Sequence, residues 1–184
     1  MKAQIESILR PKQSKRIRPE FVVTEGTSAE ARAFLDKNHY LGAASGVATI
    51  EARYRNTLVG VWVFMKRNQG EILWHRACWD HNFRSWNPHE TALKLALPIL
   101  KSKGFTKMVT FSDNRFHTGG LYRKLGFGFE KELKPNYYYV SNSGRRLSKY
   151  ALRVKAGIRE VESARSKGWY RMWDSGKKRF TLDI

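Results

Sequence analysis

The sequence predicts an α/β chain: a twisted, mixed and mainly antiparallel sheet flanked by helices, with a C-terminal hairpin as an appendage. Three observations predict it. Residues 47–78 hold three β-rich segments separated by two short turns, Arg55-Asn56 and Asn68-Gln69-Gly70, the pattern of antiparallel neighbours. Residues 87–104 carry a helix signature marked at both ends. Residues 107–133 read strand, polar elbow, short helix and strand, with Gly126 where the helix must close through a left-handed backbone.

The elements follow in order. Residues 1–19 form a basic arm interrupted by Pro11 and Pro19. Residues 21–24 are a first strand. Thr27 or Ser28 can cap a helix in which Ala31, Phe34 and Leu35 make an apolar stripe. That helix ends near Asn38-His39-Tyr40, ahead of Gly42. Val47, Thr49 and Glu51 alternate with Ala48, Ile50 and Ala52 as a strand, and residues 57–64 fold back on it as a hairpin. Residues 71–78 supply the third strand. Asn87 is placed to cap the next helix, Pro88 fills its first position, and Glu90 can complete a capping box. Pro98 removes a backbone donor and should bend this helix. Lys101 and Lys103 suit its last turn, and Gly104 stops it. Beyond Pro135 come Tyr137-Tyr138-Tyr139-Val140, a turn at Asn142-Ser143-Gly144, and residues 147–152. A short polar helix over 159–167 follows, then a terminal hairpin of residues 169–173 with 179–182. The expected organisation is an arm (1–19), a core (20–140) and a basic extension (141–184).

Composition narrows the function. With 41% hydrophobic residues, 6 Trp, 8 Tyr and 10 Phe, the 184-residue chain can bury a core. No apolar run is long enough to span a membrane. The first 18 residues are too polar for a secretion signal. The one cysteine, Cys78, rules out an internal disulfide and a cysteine-clustered zinc site, so a reducing cytoplasm is expected and no metal is. The net charge of +19 points to a polyanion: nucleic acid, a nucleotide cofactor or an acidic protein surface.

Tyr122, Gly126 and Phe127, spaced Tyr-x-x-x-Gly-Phe at the end of a short helix, resemble the last motif of the GCN5-related N-acetyltransferase (GNAT) fold. Asp113, Arg115 and Gly120 around them are similar to a narrower branch, the phage acetyltransferase-like proteins that include the Mom-type DNA modification enzymes. So are Asn38-His39-Tyr40 at the end of the first helix and Arg76 in the central strand. By element order the resemblance covers residues 20–140. It implies a phage-encoded N-acyltransferase using acetyl-CoA or another acyl-CoA in the host bacterial cytoplasm, its acyl acceptor unassigned. The implied catalytic set is Tyr122, His39, Asp113 and Arg76, gathered around one cleft. Tyr122 would protonate the departing thiolate, His39 would act as base near neutral pH, and Asp113 would orient His39 or the amine. Arg76 would pair with Asp113 or hold an anion. The implied cofactor contacts are Arg84, Asn87, Tyr122 and Arg123.

Plainer readings of the same residues stand beside these. Tyr122 can be a core tyrosine, His39 a helix-end residue, Asp113 an Asx-turn and Arg76 half of a structural ion pair. Trp74, Trp79, Phe83 and Trp86 beside Arg76 and Arg84 suit base stacking, a protein hot spot or core packing. The sequence also departs from the family pattern. Residues 80–90 contain no glycine where acetyltransferases place a glycine-rich pyrophosphate loop, and Leu73 stands where Mom-like proteins have glutamate. Two alternatives follow: a host-directed effector that binds a bacterial protein on a degenerate fold, and Mom-like DNA base modification. A homo-oligomer is a further possible partner state.

Overall fold

The computed structural model describes residues 15–16, 21–26, 28–152 and 160–184. The expected basic arm, except Lys15 and Arg16, lies outside them, as do Thr27, Arg153, Lys155 and Arg159. The side chains of Lys15, Arg16, Ser28, Arg84, Tyr150 and Leu152 lie outside them too.

In chain order the elements are β1 (Lys15–Arg16), β2 (Val22–Glu25), α1 (Ser28–Asn38), β3 (Ala48–Tyr54), β4 (Thr57–Asn68), β5 (Glu71–Trp79), β6 (Phe83–Arg84) and α2 (Pro88–Ser102). Then come β7 (Lys107–Asp113), α3 (Gly120–Lys124), β8 (Gly128–Leu133), β9 (Tyr137–Ser141), β10 (Arg146–Ser148), a 3-10 turn (Lys149–Leu152), α4 (Glu160–Ser166), β11 (Trp169–Trp173) and β12 (Lys177–Asp183). Seven strands form a mixed, mostly antiparallel sheet in the order β2-β3-β4-β5-β7-β12-β8. This is the α/β class the sequence predicts. The chain divides into two compact units, Met1–Thr110 with Thr181–Ile184, and Phe111–Phe180.

In the first unit β4 is the centre of the core. Val59, Val61, Trp62, Val63 and Phe64 are all fully buried, so this strand is covered on both faces. On one face Ala31, Phe34 and Leu35 of α1 pack on Val61, Val63 and Cys78. Alternation turns Trp62 to the other face, where its indole donates to His89 of α2. The β3–β4 hairpin turns through Arg55 and Asn56, with φ of 47° and 64°, a two-residue loop whose twist matches the strands. β5 pairs with β7 in parallel over Glu71–Leu73 and Lys107–Val109. Helix α2 continues through Pro98 to Ser102. β1 pairs in parallel with β6, Lys15 opposite Phe83.

In the second unit β9 and β10 make a hairpin around the 142–144 turn, and β11 adds to the other edge of β9. The C-terminal hairpin is therefore present, but residues 169–173 and 179–182 are not its arms. β11 belongs to the three-stranded sheet and β12 to the seven-stranded one. Asp174 separates them. Its buried carboxylate accepts from the backbone N–H of Asn136 (2.8 Å) and of Gly176 (3.0 Å), redirecting the chain before β12 begins. β12 runs antiparallel to β7, as the Asn114 N to Gly176 O bond at one end and the Ile184 N to Thr106 O bond at the other require.

Candidate active site

His39 and Arg76 come together in the first unit. The β4–β5 register skips one residue: Val63 faces Arg76, and Phe64 faces Trp74. His75 is thus the extra residue of a β-bulge, a device that re-aims side chains. Arg76 donates through Nε to Gly42 O (3.4 Å) and through Nη1 to His75 O (3.0 Å), tying the bulge to the chain beyond α1. His39 stacks on Tyr40 at 5.1 Å. Its Nδ1 accepts the Leu41 N–H at 3.1 Å, which puts the imidazole proton on Nε2. Burial, then the charges of Arg76 and His75, push its pKa down to about 4. The expectation of a base titrating near neutral pH is corrected. One lone pair is committed to the backbone, and the imidazole stays neutral in a desolvated, positively charged setting.

Two further histidines stand out: His75, for which the sequence suggests a core or surface role, and His89, which sequence reading missed. Burial and Arg76 push His75 down to about 4, and its Nδ1 is buried without a partner. His89 accepts the Trp62 indole N–H at 2.9 Å and is pushed by burial to about 4. A buried indole needs an acceptor, so Trp62 in the apolar stretch 58–65 was the available signal.

Asn87 does not cap α2 with its side chain. It adopts a left-handed backbone with φ of 50°, and its carbonyl accepts from Thr91 N at 3.1 Å. Glu90 pairs with Lys94 at 2.8 Å. The Arg84 side chain lies outside the described residues. Trp74 and Trp79 take the core reading. Trp74 is buried on Phe64 and donates to Arg76 O, while Trp79 packs on Phe21 and Trp62 and donates to Phe83 O. Trp86 is 75% exposed. Cys78 is buried, and its thiol is pushed up to about 12, so it is no nucleophile.

Asp113, Tyr122 and Arg123 belong to the second unit. Asp113 is buried, yet Arg115 grips it at both carboxylate oxygens, Nε to Oδ1 at 3.0 Å and Nη2 to Oδ2 at 2.6 Å. The Arg115 backbone N–H adds a third bond to Oδ1. Burial alone would raise the carboxyl pKa; the bonds from Arg115 outweigh it and hold the group below its usual value. The Asp-x-Arg elbow is thus an ion pair within one turn, with Arg115 Nη1 also reaching Tyr138 Oη at 3.4 Å. Arg115→Ala leaves a buried carboxylate without its guanidinium and is expected to cost roughly 2–3 kcal/mol by urea unfolding, with Arg115→Lys recovering only part.

Tyr122 sits on α3, its ring against Phe127 and Phe180 and its hydroxyl donating to Phe111 O at 3.4 Å. Arg123 is exposed, its guanidinium 5.5 Å from the Phe180 ring. The elbow closes through Gly119, with φ of 86°. A Cβ there would stand 2.2 Å from Phe180 Cζ. Gly119→Ala combines backbone strain with an aromatic clash, and a loss of about 2 kcal/mol in thermal or urea unfolding is expected. Among the described residues, no group of three His, Cys, Asp or Glu side chains could hold a metal ion, and no helix is long and apolar enough to cross a membrane.

The element order and the sheet are those of the GNAT acetyltransferases, and solved structures of that fold match almost the whole chain. A GNAT family acetyltransferase from Elizabethkingia anophelis, with acetyl-CoA bound, matches at TM-score 0.54 and 17% identity over 90% of this chain and 99% of its own. A Bacillus subtilis acetyltransferase in complex with CoA matches at 0.53 and 16%, over 90% and 98%. The ribosomal-protein-S18-alanine N-acetyltransferase of Escherichia coli matches at 0.58 and 11%, over 89% and 94%. No family model matches the sequence, and no curated protein does. The chain has the GNAT fold.

Proposed function

We propose that this chain is an acyl-coenzyme A-dependent N-acyltransferase. The observation that carries the reading is Tyr122. It lies on a short helix after the β7 elbow, with a phenol half-buried among Phe127 and Phe180. Three neighbours in fold are acetyltransferases, two of them solved with acetyl-CoA or CoA.

The chain's own residues fit a coenzyme at one point. The Asn87 side chain does not cap the first turn of α2, and a helix N-terminus suits an anion despite the missing glycines. Asn87 stands at that terminus, Arg84 is the cation the family resemblance assigns to the cofactor, and Arg123 would add charge beside Tyr122. Acyl-CoA supplies an activated acyl carbonyl and a sulfur leaving group. Tyr122 holds a proton on its phenol oxygen for a departing thiolate. His39 offers its Nε2–H to orient the acceptor, with Arg76 fixing the bulge beside it. Asp113 acts through Arg115 to hold the elbow.

Calorimetric titration with acetyl-CoA, with ATP as a charge control, tests this. Saturable binding that ATP does not reproduce is expected. Binding matched by ATP and abolished by salt would sink it.

A second reading draws on the glycine-free segment and Pro88, which removes one N–H donor from the α2 terminus. It is a phage effector that binds a host protein on this fold without catalysis, and failed coenzyme binding would bring it forward. Mom-like DNA modification would use the same His39, Arg76, Asp113 and Tyr122 set. New nucleosides in DNA from expressing cells, read by mass spectrometry, are its test.

A further inference from the structure

The second unit presents a surface that acyl transfer does not use. In the three-stranded sheet the register sets Arg146 and Tyr170 on either side of Val140, and Ser148 and Met172 on either side of Tyr138. These six residues share one face. The opposite face is the packed one, with Tyr139, Leu147 and Trp169 against Ala164 of α4. On the outer face Tyr170 is 60% exposed and Met172 48% exposed, and Arg146 and Ser148 are exposed as well. The Arg146 guanidinium lies 3.6 Å from the Tyr138 ring centroid, flat-stacking distance. Arg115 reaches the Tyr138 hydroxyl from the elbow. β9, β10 and β11 contain no Asp or Glu.

We propose that this face binds single-stranded RNA, with bases stacking on Tyr170 and on the Arg146–Tyr138 pair. A sheet face that displays flat rings and a planar cation, free of carboxylates, in a chain of net charge +19, is complementary to splayed bases on a polyanionic backbone. A protein hot spot would also use Tyr, Met and Arg, but it would not call for so large an excess of positive charge. The Ser148 and Tyr138 hydroxyls stand beside the stacking positions, where a ribose 2′-hydroxyl finds partners that a deoxyribose cannot use.

The test is fluorescence anisotropy of the full chain with labelled oligouridine of about ten nucleotides. Saturable binding is expected. Tyr170→Ala and Arg146→Ala should each weaken it about tenfold. Arg146→Lys, which keeps the charge but not the plane, should weaken it severalfold. Lys167→Ala, an exposed charge on the same unit away from this face, should stay within about twofold. All three side chains lie outside the catalytic set and the packed core, and Met172→Ala gives a second reading of the face should one variant fold poorly. Deoxythymidine of equal length should bind several times more weakly. The proposal is overturned if oligouridine does not saturate, if Lys167→Ala weakens binding as much as Tyr170→Ala, or if the deoxy oligomer binds equally well. Competition by polyglutamate equal to that of unlabelled RNA would assign the face to an acidic protein and overturn it too.

Discussion

Tyr122→Phe is expected to lower kcat about a hundredfold while leaving acetyl-CoA affinity nearly unchanged. The change removes one oxygen. The ring contacts with Phe127 and Phe180 survive, and the bond given up, to Phe111 O, is a long one at 3.4 Å. Stability should therefore fall by no more than about 1 kcal/mol. The split between turnover and affinity is what distinguishes a proton donor from a packing residue. If kcat and affinity drop together, Tyr122 serves the fold and the acid must be sought elsewhere.

Acid should unfold the first unit well before carboxylates protonate. His39, His75 and His89 are each held at about 4 against an ordinary 6.5. Between those values the unfolded chain binds more protons than the folded one, so stability is intact above pH 6.5 and falls as pH drops toward 4. By pH 5 His89 and His39 each withdraw on the order of 1–2 kcal/mol and the more exposed His75 less, together a sizeable share of an ordinary domain's stability. For His39 and His89 the loss has a visible cause, because protonating Nδ1 ends its bond from Leu41 N or from the Trp62 indole. Urea midpoints from pH 7 to pH 5 should fall steadily. His89→Gln, which keeps an acceptor for Trp62, should flatten the fall by about one histidine's worth. A midpoint independent of pH over that range would mean that these rings are hydrated.

Local chemistry was legible in the sequence, and pairing at a distance was not. The Arg55-Asn56 turn announced the β3–β4 hairpin because both residues had to leave the right-handed region. The ends of α2 were readable from Asn87-Pro88 and Gly104, yet the role of Asn87 was not, because a capping side chain and a left-handed backbone suit the same residue type. Asp113 and Arg115 were noted as an elbow without the inference that two residues so spaced would satisfy each other. The depressed pKa of His39 comes first from burial and then from Arg76 and His75, which arrive from a strand with a bulge that no local pattern specifies. The partner of β11 turned on Asp174, whose carboxylate bonds reach back to Asn136 across the α4 segment.

β12 lies between β7 and β8, although β8 precedes it in the chain by three further strands and a helix. During translation β8 therefore leaves the ribosome with no neighbour to hydrogen-bond, while β7 waits with one edge open. The sheet cannot be finished in the order in which it is made. Its closing strand must slip into a gap kept for it, and until then two unsatisfied edges face the crowded cell, the condition under which nascent chains need a chaperone.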